Sequence, residues 1–212
     1  MSNDRIQIRP NTIEEELNRI QETVRKLPWF KEHGYTPKLP KKLESLQEEY
    51  KPEIYAIGVN ILKKNREQIE VVFPIFSKLA TAWAFKVFPH YEIVVTRYGM
   101  GGSYSSETGK IIMRVEDSGK FLRLQPYHTP IHEMIHIGIE EVIVKKYKLT
   151  QEEKERSVDL MAVTLFKDIM PDYKLQSIGD SRIDRFITAE TIPNLPAAIN
   201  RYVNEYPRSR SS

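Results

Sequence analysis

The residues best suited to chemistry are His132-Glu133-Met134-Ile135-His136. On a helix, side chains four apart lie one turn apart on the same face. Two imidazoles so placed can share one metal ion through neutral ring nitrogens. A Glu beside the first can then reach a water on that metal without ligating it. Zinc in such a setting polarises a carbonyl and acidifies its water. Glu133 is the candidate base that takes the water's proton and returns it to a leaving amine. The other reading of these residues is a pair of ordinary histidines bonded to main-chain groups. The neighbours Ile131, Ile135, Ile137, Ile139, Val142 and Ile143 are apolar nearly all round the helix. They predict burial, and buried polar groups need partners.

A zinc site of this kind takes a third protein ligand. Cys is absent, which also excludes disulfides, cysteine nucleophiles and thiolate-held iron–sulfur clusters. His33, His90 and His128 all lie upstream of the motif. The metzincin pattern fails, because Ile139 and Val142 stand where it places Gly and a third His. Downstream carboxylates remain: Glu152, Glu153, Glu155 and Asp159. Glu155 is the choice. Eighteen residues, 137 to 154, separate it from His136, and Glu155-x-x-x-Asp159 shares one helix face with Ala162 and Phe166. Asp159 is expected to hold the second ring N–H of a ligand His and so fix its tautomer. The alternative leaves both carboxylates solvated and paired with Lys154 or Arg156. The site closes only if the first helix ends near residues 144–146 or the two helices cross steeply. Lys145, Lys146 and Lys148 suit a helix C-terminus there.

Stepping along the chain gives the elements that must position these groups. Apolar residues at helical spacing predict an amphipathic helix over 11–27, ended by Pro28. A Pro-rich connection over 28–40 and a short helix over 41–50 complete an expected N-terminal helical appendage, residues 1–50. Tyr55, Ile57, Val59 and Ile61 alternate, which suggests a strand with helix as the open alternative. A buried helix is expected over 74–88. Strands are expected over 92–98, 103–106 and 110–115. Thr129-Pro130 is read as the start of the motif helix, running to about residue 146. Thr150 and Glu153 form a capping box for a second helix reaching about residue 169. One or two small helices follow residue 180, and 207–212 reads as a tail. The fold class is α+β, with the main domain spanning 51–206.

Composition narrows the function classes. In 212 residues, 32 Lys and Arg face 29 Asp and Glu, a net +3 with the signs well mixed. No one-sided basic patch points to nucleic acid, so none is expected as a partner. No run of about 18 apolar residues predicts a membrane span. The first twenty residues lack the apolar stretch of a secretory signal, and a cytoplasmic location is expected.

His132-Glu133-x-x-His136, the eighteen-residue gap, Glu155 and Asp159 together resemble the gluzincin metallopeptidases, with the spacing of the aminopeptidase N type. The resemblance covers about 30 residues of the motif region. It implies a zincin-like fold: a small twisted sheet with an edge strand along the cleft, an active-site helix and a second helix bearing the glutamate ligand. It implies Zn2+ on His132, His136 and Glu155, Glu133 as base, and Asp159 orienting a ligand. The G-x-M-E-N motif that binds a substrate amino terminus is missing. Gly99-Met100-Gly101-Gly102 is a different pattern, so aminopeptidase specificity is not carried over. A second oxyanion donor would come from Tyr98, Tyr104, Tyr127, His128 or Tyr173. Tyr104 is preferred because it falls on the expected edge strand, where an extended peptide could pair. The expected function is zinc-dependent hydrolysis of a peptide or protein. The alternatives are a zincin-like metal-binding protein with a sensing, binding or structural role, and a non-enzymatic interaction domain.

Overall fold

A capping box starts the first helix. Thr12 Oγ1 accepts the main-chain N–H of Glu15, and the Glu15 carboxylate accepts that of Thr12. The computed structural model describes residues 5–42, 46–122, 125–176 and 179–207. It divides into two compact units, residues 1–67 with 90–130 and residues 68–89 with 131–212. The protein is mixed α and β. Among the described residues no helix is long and apolar enough to cross a membrane. Residues 208–212 of the expected tail lie outside the described residues.

The first unit holds a four-stranded mixed sheet in the order β1-β2-β4-β3. Its strands are β1 (Ile6–Pro10), β2 (Tyr91–Thr96), β3 (Gly102–Tyr104) and β4 (Lys110–Arg114). β1 and β4 flank β2 in parallel, and β3 runs antiparallel to β4 at an edge. β2 is buried from Ile93 to Thr96, which suits its β-branched run between two parallel neighbours. The unit also carries α1 (Ile13–Arg25), α2 (Leu27–Glu32), α3 (Leu46–Glu49) and α4 (Pro52–Lys64).

Three expectations change here. The first fifty residues are not all helix and loop, because β1 joins the sheet beside β2. The alternating stretch after residue 54 is α4, not a strand. Its buried positions are Tyr55, Gly58, Val59 and Leu62, a helical set, while Ile57 is exposed. Gly58 lets this helix approach closely: a Cβ there would lie 2.7 Å from Val115 Cγ1 and 3.0 Å from Val95 Cγ1. Pro28 does not end α1, which stops at Arg25. It sits instead in the first turn of α2, where a missing N–H costs nothing.

On α1 the buried positions are Glu16, Ile20 and Thr23. The Glu16 carboxylate accepts Thr96 Oγ1–H at 2.7 Å and the Arg97 main-chain N–H at 3.0 Å. It therefore satisfies the end of β2, while burial pushes its pKa up.

The second unit is helical: α6 (Phe73–Trp83), most of α7 (His128–Ile139), a π-helical segment (Glu140–Lys145), α8 (Gln151–Leu165) and α9 (Leu195–Glu205). The short α5 (Arg66–Glu70) precedes α6. Two 3-10 turns, Ser181–Phe186 and Ile192–Asn194, lead into α9, which is longer than the small helices expected there. α6 ends at Trp83 rather than near 88, with Ala84 in the left-handed conformation. The chain then places Phe85 against α7. Phe85 stacks on Phe76 at 4.9 Å and meets Trp83 edge-on at 5.5 Å. Gly138 accommodates this ring, since a Cβ there would come within 1.9 Å of it. α8 is anchored by a bidentate Arg156–Asp184 pair and by Tyr202 Oη–H donating to Glu153 at 2.7 Å.

Candidate metal centre

α7 carries the motif through a dry environment. Ile131, Met134, Ile135, Ile137 and Ile139 are fully buried, and His132, Glu133 and His136 are buried with them. A regular helix continuing far beyond His136 would carry the next element away from the histidines. Here the helix changes instead to the π-helical Glu140–Lys145, a rarer and wider turn often met beside functional sites. It ends at Lys146. Lys148 adopts a positive φ of 50°, and the Leu149 main-chain N–H closes back on Val144 O at 2.9 Å. Thr150 and Glu153 then form the capping box expected from sequence and start α8. The early end of the first helix meets the geometric condition for closure, and Glu155 arrives one turn into α8.

Three side chains converge. His132 Nε2 and His136 Nε2 are 3.0 Å apart. Glu155 Oε2 lies 3.6 Å from the first and 3.4 Å from the second. Among the described residues this is the one cluster of three or more such groups able to hold a metal ion. Two ring nitrogens this close cannot both direct lone pairs at each other without a proton or a cation between them. The charges agree. The carboxylates of Glu155, Glu133 and Asp159 outweigh burial and hold the His132 pKa above its ordinary value. Burial, helped by the charge of His132, pushes His136 down against the pull of Glu155. Despite burial, the two imidazoles beside it hold the Glu155 carboxyl well below the usual range, so it stays ionised.

The donor set also has the right size. Four ligands about 2.0–2.2 Å from a tetrahedral zinc lie about 3.3–3.6 Å apart; the two separations to Glu155, 3.4 and 3.6 Å, match that edge, and the 3.0 Å between the rings is slightly shorter. Two imidazoles and a carboxylate suit zinc and related divalent ions.

Supporting groups come from α8 and the irregular stretch after it. Gln151 Nε2 donates to Glu155 Oε1 at 2.7 Å, which leaves Oε2 turned to the histidines. Tyr173 Oη lies 2.6 Å from His132 Nδ1 and donates to Asp159 Oδ1 at 2.7 Å. The Gln176 main-chain N–H donates to Asp159 Oδ2 at 2.6 Å. Asp159 is fully buried, not solvated, and reaches the ring through Tyr173: its Oδ1 is 3.6 Å from His132 Nδ1.

Of the oxyanion candidates, Tyr173 is engaged as just described. Tyr98 donates to Glu49 at 3.0 Å in the sheet unit. Tyr104 ends β3, opposite Ile111 of β4. Tyr127 meets the His128 ring edge-on at 4.8 Å. Sequence reasoning missed Gln151 and Gln176. The first carried a signal, since it lies four residues before Glu155 on a helix. The second comes from an irregular segment and carried none. No family profile, curated protein or solved structure matches the chain.

Proposed function

We propose that the protein is a zinc-dependent peptide-bond hydrolase of zincin-like fold, acting on a peptide or protein. One observation carries the reading: two ring nitrogens and a carboxylate oxygen, brought from two helices, lie within 4.8 Å of one another in a largely buried setting. His132 and His136 would bind the ion through Nε2 and Glu155 through Oε2. When bound, zinc supplies Lewis acidity and acidifies a water molecule. Glu133, next to His132 on α7 and buried, is the base: it takes that water's proton and delivers it to the leaving amine. The low-dielectric surroundings strengthen each of these charge interactions. The cysteine-free sequence suits a reducing compartment, and the cytoplasm is the proposed location.

Glu133→Gln tests the assignment. The variant keeps its zinc, because Glu133 is not a ligand, and loses hydrolysis of a peptide library by at least about 100-fold, the usual worth of a general base. Undiminished hydrolysis in a clean preparation would defeat the assignment.

A further inference from the structure

Asp159, Tyr173 and His132 form a directed chain of hydrogen bonds, and its direction is set at the far end. The Gln176 main-chain N–H points at Asp159 Oδ2 from 2.6 Å. A main-chain donor cannot turn round, so Oδ2 must accept. The Tyr173 hydroxyl has one proton, and it goes to Asp159 Oδ1 at 2.7 Å. What remains on Tyr173 Oη is lone pairs, and His132 Nδ1 lies 2.6 Å from them. Nδ1 must therefore carry the proton, which leaves Nε2 with its lone pair facing His136 and Glu155. The chain is dry: Asp159 is fully buried, and His132 and Tyr173 are nearly so.

We infer that Tyr173 is a positioning residue, a one-way relay through which Asp159 fixes the Nδ1–H tautomer of His132 and presents its Nε2 to the metal. This rests on reading the cluster as a metal site. It deepens that reading by giving Asp159 its route to the ring and by removing Tyr173 from the oxyanion donors. Groups that orient metal ligands in this way are commonly worth 10–100-fold in metal affinity.

The relay makes an unusual statement about Asp159→Asn, which keeps size and shape. The fixed N–H of Gln176 requires the amide oxygen at the Oδ2 position, so the amide NH2 takes the Oδ1 position and donates to Tyr173. The hydroxyl proton then turns to His132 Nδ1, 2.6 Å away. The ring is left protonated on Nε2, the wrong side for a metal. Tyr173→Phe merely cuts the chain and leaves the tautomer unforced. The order of zinc affinity, measured by competition with a chelating indicator, is therefore wild type, then Tyr173→Phe, then Asp159→Asn about 10–100-fold below wild type. The double variant binds zinc more tightly than Asp159→Asn alone. A structural role alone predicts the reverse, with the second substitution adding damage.

Nitrogen NMR of the zinc-free proteins at alkaline pH, where both rings are neutral, reads the tautomer directly. His132 carries Nδ1–H in the wild type and Nε2–H in Asp159→Asn. A wild type that takes up no zinc removes the metal reading, while the NMR still decides the relay. An Nε2–H tautomer in the wild type, an unchanged tautomer in Asp159→Asn, or a double variant weaker than Asp159→Asn overturns it.

Discussion

Gly138 lies two residues beyond His136, and replacing it with Ala tests how the aromatic layer holds the motif helix. The added Cβ would sit 1.9, 2.1 and 2.4 Å from three atoms of the Phe85 ring. Ordinary contact needs about 3.5 Å or more, so ring or helix must yield by about 1.5 Å. The ring has little room. Phe85 is 2% exposed, stacks on Phe76, which in turn meets Phe166 edge-on at 5.6 Å, and abuts Trp83. The helix is tied to the same strap by Lys86 N–H donating to Gly138 O at 3.0 Å. Overpacking of this kind costs about 1–3 kcal/mol, and so closed a site belongs at the upper end. The helical propensity gained from Gly to Ala, about 1 kcal/mol, offsets part of that and leaves a net cost of about 2 kcal/mol. At about 2–4 °C per kcal/mol for a chain of this length, the Tm falls by about 4–8 °C in a thermal melt followed by circular dichroism. The control is Phe85→Ala. Alone it costs about 3–5 kcal/mol, but Gly138→Ala made in that background costs little, because the clash is gone. A Tm for Gly138→Ala equal to or above wild type, or strict additivity with Phe85→Ala, would refute the proposed packing of Phe85 on α7.

Three further outcomes are expected. Glu16 has a raised folded-state pKa, so it binds its proton more tightly folded than unfolded. Its contribution to stability is full below the ordinary value of 4.5 and is lost as pH rises through the folded value. Urea unfolding across a pH series should show the difference between wild type and Glu16→Gln moving in favour of Gln as pH rises from about 4, and a pH-independent difference would contradict the burial cost. Tyr202→Phe takes one donor from the buried Glu153 carboxylate and costs about 1–3 kcal/mol in the same assay; a loss under about 0.5 kcal/mol would show the bond to be idle. Thr150→Ala breaks the α8 capping box and costs about 1 kcal/mol, measurable as a lower urea midpoint at an unchanged slope, and an unmoved midpoint would count against the cap.

How much of this was legible depended on how local each signal was. The two histidines, Glu133 and the Thr150–Glu153 cap are read within a few residues, and helix geometry alone puts them in place. Glu155 was reachable because the cap fixed the start of α8 and so the phase of its faces. β1 was missed because Ile6 and Ile8 are only two buried positions in a five-residue strand, too few to show a period. α4 misled because its apolar residues alternate as well as recur every third and fourth position. Burial of Tyr55, Gly58, Val59 and Leu62, settled by packing on the sheet, decides between the two. Tyr173 was noticed for its hydroxyl but given another role. Its partners His132 and Asp159 lie 41 and 14 residues away, brought there by an irregular segment with no periodicity to read. The π-helical turn left no mark in the sequence beyond the lysines that follow it.

The central claim is that His132, His136 and Glu155 hold one metal ion. Zinc content of the purified protein, together with X-ray absorption at the zinc edge, tests it most directly when wild type and Glu155→Ala are compared. The expected result is one zinc per chain in the wild type, with nitrogen and oxygen ligands at about 2.0–2.2 Å, and loss of most zinc after dialysis of the variant. No zinc in the wild type after growth with added metal, or full retention of zinc by Glu155→Ala, would contradict it.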